Sequence, residues 1–203
     1  MRKAFSALAL AALAAGCFNE PEPAYKSVPA EARVYLSGKG LKTFTGALSN
    51  RALPVGGVSA IDYLNLDRNE LTNIDEVATL TGLKWLRLNE NKLSALPDLK
   101  ALEKLRRIYL RDNKFTAVPE TLKDLASLTD IEMSGNPIKE IPEWLAKKEG
   151  LVNLSFNRTR LSKLPEDLSA WKSLRSLQLG ELNLPADEMA RIRKALPKTA
   201  IVF

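Results

Sequence analysis

From Ile61 onward the hydrophobic positions fall into one register that recurs six times: IDYLNLDRNEL, LKWLRLNENKL, LRRIYLRDNKF, LTDIEMSGNPI, LVNLSFNRTRL and LRSLQLGELNL. These segments begin at residues 61, 83, 105, 128, 151 and 174, so the intervals are 22, 22, 23, 23 and 23. They follow the pattern LxxLxLxxNxL, and four of the six keep the asparagine. The central alternation predicts a short strand, with leucines on one face and variable residues on the other. A weaker segment, EARVYLSGKGLKTF, fits the pattern from Glu31 with Lys39 in place of the asparagine. Between segments an aliphatic residue followed by proline recurs at Pro97, Pro119, Pro142 and Pro165. The first position of a helix tolerates proline because its missing N–H had no partner there, so PEWLAKKEG and PEDLSAWKS are expected to form one or two helical turns. PADEMARIRKALPKTAIVF predicts a helix opening near Asp187, with Met189, Ile192 and Leu196 on one face, then a strand from Ile201 to Phe203.

The register resembles the leucine-rich repeat family, whose unit is a short strand followed by a returning convex segment. That resemblance implies an α/β solenoid, with a curved parallel sheet and short helices or turns on the convex side. Each turn of such a coil buries its apolar residues only against the turns above and below. In the second full unit Leu83, Leu86, Leu88, Leu93, Leu96, Leu99 and Leu102 are expected inside. The resemblance assigns Asn69, Asn91, Asn113 and Asn136 a structural ladder, in which their amides satisfy backbone groups of adjacent turns. Thr159 and Leu182 interrupt it. Terminal turns need covers. The irregular unit 31–60 is the expected N-terminal cap, with Val34, Leu36, Leu41, Phe44, Leu48, Leu53 and Val55 covering the core. Full repeats then run over 61–184, and 185–203 is the C-terminal cap.

At the other end, Arg2 and Lys3 precede an apolar run from Ala4 to Ala15, the charged-then-apolar order of a secretory signal. The run is too short to span a bilayer, which takes about 20 residues. Ala14, Ala15 and Gly16 before Cys17 resemble the lipobox of bacterial lipoproteins. The resemblance implies a signal peptide over 1–16, an acylated (palmitate-bearing) Cys17 and an anchor in the cell envelope; Phe18 at the next position favours the outer membrane. Leu13 lies one place earlier than that family prefers, and ordinary signal cleavage that leaves an idle thiol is the alternative. The segment 17–30, with Pro21, Pro23 and Pro29, reads as an extended tether.

Composition narrows the chemistry. The chain has 203 residues, no histidine and one cysteine, which removes Ser-His-Asp and Cys-His catalysis, imidazole metal sites and internal disulfides. Leucine supplies 35 residues while aromatics are 6%, as an aliphatic repeat core requires. The formal net charge of +6 comes from 30 basic and 24 acidic residues interspersed along the chain, a mixed surface rather than a nucleic-acid stripe. No phosphate-binding or hydrolase motif is present, no cofactor or metal site is indicated, and a non-enzyme is expected.

Function is then sought on the concave strand positions. The third position of each unit reads Arg33, Tyr63, Trp85, Arg107, Asp130, Asn153 and Ser176. The fifth reads Tyr35, Asn65, Arg87, Tyr109, Glu132, Ser155 and Gln178. The large residues gather in the first four units. Tyr35, Tyr63, Trp85, Arg87, Arg107, Tyr109 and, bordering them, Arg111 form the candidate partner-binding surface, because Tyr, Trp and Arg are over-represented in binding hot spots. A protein partner is expected, with envelope glycan or a ligand-free spacer as alternatives, and a monomer. Trp171 and Trp144 are assigned to the core and convex side. Asp130 and Glu132 are expected to be solvated surface charges, since an open sheet lacks a water-excluded pocket.

Overall fold

The computed structural model describes residues 29–49 and 53–203. Cys17, the signal segment and nearly all of the tether lie outside the described residues. The chain coils through eight strands of three residues each: β1 (Arg33–Tyr35), β2 (Tyr63–Asn65), β3 (Trp85–Arg87), β4 (Arg107–Tyr109), β5 (Asp130–Glu132), β6 (Asn153–Ser155), β7 (Ser176–Gln178) and β8 (Ala200–Val202). They form one parallel sheet in sequence order. The fold is a leucine-rich repeat solenoid.

Every strand pairs at the same repeat position: Arg33, Tyr63, Trp85, Arg107, Asp130, Asn153, Ser176 and Ala200 form one row of Cα partners. The central residue of β1 to β7, from Val34 through Ile108 to Leu177, points into the core and is buried, and Ile201 of β8 is partly so. One continuous cluster runs from Val34 to Leu196 and contains all seven inward leucines of the second unit. Trp171 is in that core, where its indole N–H donates to the Leu145 carbonyl at 2.9 Å. Trp144 packs against the cluster from the convex side.

The convex segments are shorter and less helical than expected. Helix α1 spans Glu143–Ala146, and Asp75–Thr79, Glu120–Leu122 and Ser169–Ser173 are 3-10 turns. Pro142 and Pro119 sit one residue earlier than the first helical position. Their extended ψ angles (150° and 126°) make them caps, and their carbonyls accept the first helical N–H groups. Pro97 and Pro165 open no helix. After Pro97 the Asp98 side chain instead accepts the Lys100 N–H at 3.0 Å, a local turn that competes with helix.

At the C-terminal cap, helix α2 (Ala186–Ala195) begins one residue before the expected Asp187. It buries Ile192 and Leu196, with Met189 partly buried beside them. A polar clasp locks it onto the preceding turn. Glu188 accepts the Leu164 N–H at 2.8 Å, and Arg191 donates to the carbonyls of Leu164, Pro165 and Glu166. At the N-terminal cap Val34, Leu36 and Phe44 are buried and Leu41 and Leu48 partly so. Leu53 and Val55 are exposed and cover nothing. Gly56 and Gly57, both at positive φ, close a turn in which the Gly57 N–H donates to the Pro54 carbonyl, and Val55 lies at its exposed tip.

Candidate functional site

The concave face is built by two rows of side chains that the parallel pairing brings into register. On the third-position row the rings of Tyr35 and Tyr63 meet across from the fifth position at 5.4 Å, and those of Tyr63 and Trp85 meet edge to face at 5.9 Å. The Arg107 guanidinium then lies 4.8 Å from the centre of the Trp85 ring. On the fifth-position row the Arg87 guanidinium lies 5.4 Å from the Tyr109 ring centre. Arg87 Nε donates to Asp67 Oδ2 at 2.8 Å. Arg111 donates to Glu90 at 2.9 Å and lies 3.3 Å from Asp112. Of the seven residues chosen from sequence, Tyr35, Tyr63, Trp85 and Arg107 form one stacked chain, Arg87 and Tyr109 a second pair, and Arg111 is held by Glu90 and Asp112.

Their exposure is far from uniform. Tyr63, Trp85 and Tyr109 are covered to more than nine-tenths, and Tyr63 and Trp85 form a small buried cluster with Ala32. Neighbouring strands lie close enough, about 4.8 Å, for each large side chain to cover the next. The accessible groups are Tyr35, at 47% exposure, and the partly exposed Arg87, Arg107 and Arg111. The rings form a covered floor, and the guanidiniums with Tyr35 are its accessible groups.

The asparagine ladder supports this face from the descending side. Asn113 donates from Nδ2 to the carbonyls of Leu88, Leu110 and Arg111, and its Oδ1 accepts the Leu93 N–H at 3.0 Å. Asn91 and Asn136 bond in the same manner. Asn69 does so twice at Oδ1, for Lys39 and Leu41. Thr159 bonds only within its own turn, to the Phe156 carbonyl.

A second ladder, at the seventh position, is absent from the sequence-based expectations. Asp67 Oδ1 accepts the Asn89 N–H, Asn89 Oδ1 accepts the Arg111 N–H, and Asn157 Oδ1 accepts the Gly180 N–H. Each side chain thus satisfies a backbone donor one turn on. Arg111 has no acceptor to offer. There the Ser134 N–H turns instead to Glu132 Oε1 of its own strand, at 2.7 Å. Read along the repeats, the run of Asp67, Asn89 and Asn157 is the signal that could have revealed this row.

The expectation of solvated carboxylates at Asp130 and Glu132 is overturned. Asp130 is buried, its oxygens taken by Thr129 and Asn153. Glu132 is 3% exposed, and its Oε2 finds no hydrogen-bond partner. Burial pushes its carboxyl up to about 7 against the opposing hydrogen bonds of Ser134 and Ser155 and the charge of Arg111. Ser155 and Gln178, read as open concave positions, are also buried, and the hydroxyls of Ser134 and Ser155 pair at 2.7 Å. Among the described residues no group of acidic and sulfur ligands could hold a metal ion.

Comparison with known proteins agrees with this architecture. Residues 81–138 match the family model of the leucine rich repeat. No curated protein sequence matches the chain. Among solved structures it resembles an internalin of Listeria monocytogenes, at 21% identity and a TM-score of 0.54 over 75% of this chain and 52% of the internalin. It also matches a leucine-rich repeat protein of Leptospira interrogans at 23% identity, covering 75% of this chain and 57% of that one, with a TM-score of 0.41. The chain spans about half the length of the internalin chain. The likeness to the internalin is one of fold, that of a leucine-rich repeat solenoid.

Proposed function

We propose that the protein is a non-catalytic interaction module, anchored outside the cytoplasm through a lipid on Cys17, that binds a protein partner with the first four turns of its concave face. The observation that carries this reading is the continuous aromatic floor from Tyr35 to Trp85 with Arg87, Arg107 and Arg111 set upon or beside it. Held by rings and carboxylates, these guanidiniums lose little freedom on binding, and planar donor forks suit the mixed polar surface of a protein. Catalysis has no support in the geometry. Among the described residues the one acid whose carboxyl is pushed up, Glu132, is buried beneath its neighbours. The anchor follows from the Ala-Ala-Gly-Cys sequence, and two acyl chains hold a protein on a bilayer where one does so only marginally.

The test is affinity capture from envelope extract with the wild type and with Tyr35→Ala/Arg111→Ala, which removes two accessible groups. A protein captured by the wild type and lost by the variant supports the reading. Equal capture, or capture of glycan alone, rejects it. For the anchor, Cys17→Ser is expected to abolish incorporation of labelled palmitate, and retained label ends that part of the proposal.

A further inference from the structure

Where the N-terminal ends of β3, β4 and β5 meet the chain returning from the convex side, a cavity of about 410 Å³ opens beside the concave face. Trp85, Arg106, Arg107, Ser127, Thr129 and Gly150 are among the residues that line it. It has room for one side chain. A Cβ placed on Gly150 would meet nothing within 4 Å, so the space beside that residue is clear.

The charges around this cavity do not balance. Lys84 is paired with Asp62 at 2.7 Å. Asp130 is the acid nearest Arg107, but at 3.9 Å, and its oxygens are already engaged by Asn153 and Thr129, each at 2.5 Å. Arg107 is therefore stacked on Trp85 with only a distant counter-ion. Arg106 is exposed and forms no ion pair among the described residues. Two guanidiniums thus border one small space with an indole wall and a serine hydroxyl. A carboxylate accepts from both kinds of donor and fits a guanidinium in two-pronged fashion.

We infer that this cavity receives an aspartate or glutamate side chain of the partner protein, inserted between Arg106 and Arg107 against Trp85. The inference rests on the proposed function, because Trp85 and Arg107 belong to both surfaces. A protein lying on the concave floor would bring a side chain to its edge. The commitment to an acidic residue comes from the excess of positive charge, two guanidiniums against the single carboxylate of Asp130.

The probe is a capped peptide, acetyl-Gly-Glu-Glu-Gly-amide, titrated against the full protein while the indole N–H resonance of Trp85 is followed. That resonance is assigned by its loss in Trp85→Phe. A saturable shift is expected, at least tenfold weaker with the Gln-Gln peptide and in Arg106→Ala, and unchanged in Arg160→Ala, which removes an exposed charge elsewhere. The inference is overturned by an absent shift, by equal affinity for the Gln-Gln peptide, or by indifference to Arg106→Ala. Inorganic sulfate binding as tightly as the peptide overturns it too, leaving a site for free anions. Capture by the Tyr35→Ala/Arg111→Ala pair is measured separately, so the wider reading can stand while this one fails.

Discussion

The carboxylate of Asp112 reaches the guanidinium of Arg158, two turns of the coil away, at 3.2 Å. The intervening turn carries Gly135 at the equivalent position, where a Cβ would lie 1.9 Å from Asp112 Oδ1. All three residues have φ between 52° and 70°, as do Arg68, Glu90 and Glu181 in the other turns. The left-handed bend before the ladder asparagine is thus a backbone requirement of the coil, met by glycine only in places. Gly135→Ala is expected to lower stability by about 1–2 kcal/mol, from the left-handed penalty and an exposed ion pair worth about 1 kcal/mol or less. In an Asp112→Ala background its cost should shrink to the backbone part. Thermal unfolding of the four-member cycle decides: equal costs in both backgrounds would mean that Asp112 and Arg158 do not depend on the missing side chain.

Asn113 holds four backbone groups drawn from two turns and their connection, whereas Thr159 holds one. Asn113→Ala leaves buried carbonyls and the Leu93 N–H without partners, and a loss of about 1–3 kcal/mol follows for such groups. Thr159→Ala should lose less. Denaturant midpoints in the opposite order would remove the ladder role from Asn113.

The register, the strand positions and the inward leucines were legible because each position meets the same environment in every turn, so six imperfect copies average out local exceptions. Burial on the concave side was not. Alternation places Trp85, Ser155 and Glu132 on the sheet face opposite the core, but whether they are exposed depends on neighbours one strand away: Tyr63 and Arg107 flank Trp85, Tyr109 and Ser155 flank Glu132, and Glu132 and Gln178 flank Ser155. The seventh-position ladder was hidden for a related reason. Its members differ in type, as Asp67, Asn89 and Asn157, and Glu132 substitutes from another position where Arg111 cannot accept. The convex helices were over-read because proline is compatible with both a cap and a first helical position, and Pro142 takes the cap.

Glu132 should make stability depend on pH in an uncommon direction for a carboxylate. Its carboxyl is raised from 4.5 to about 7, chiefly by burial, so between these values the folded chain keeps a proton that the unfolded chain has released. Its contribution is complete below the unfolded value and is lost as pH rises toward 7, at about 1.4 kcal/mol per unit, or about 3 kcal/mol in all. With no histidine in the chain, no imidazole titrates in that window. Urea unfolding between pH 4.5 and 8 should show the fall, and Glu132→Gln should flatten it, because an amide oxygen can still accept the Ser134 N–H. A wild-type curve that is flat or rises over this range would contradict the buried, protonated carboxyl.

Binding energy and folding energy should separate along the concave face according to exposure. Trp85 is 8% exposed and packs on Tyr63 and Ala32, so Trp85→Ala is expected to cost about 3–5 kcal/mol of stability, as for a truncated buried aromatic. That outcome reverses the simplest reading of its strand position, and it makes the variant a poor probe of a partner. Arg87→Ala is compromised as well, because Asp67 Oδ2 loses the guanidinium it accepts from. Tyr35, at 47% exposure, and Arg111, whose acidic neighbours are themselves partly open to water, carry little of the fold. Tyr35→Ala with Arg111→Ala should therefore weaken a captured partner at least tenfold, about 1.4 kcal/mol, with stability changed by about 1 kcal/mol or less. Ser155→Ala should do the converse, leaving binding intact while destabilising the chain through its hydroxyl pair with Ser134. Calorimetric unfolding and partner affinity, measured on Trp85→Ala, Tyr35→Ala/Arg111→Ala and Ser155→Ala, give the answer. If the exposed pair loses affinity only in proportion to lost stability, the accessible guanidiniums and Tyr35 are not contact groups, and the concave face is a covered sheet rather than a binding surface.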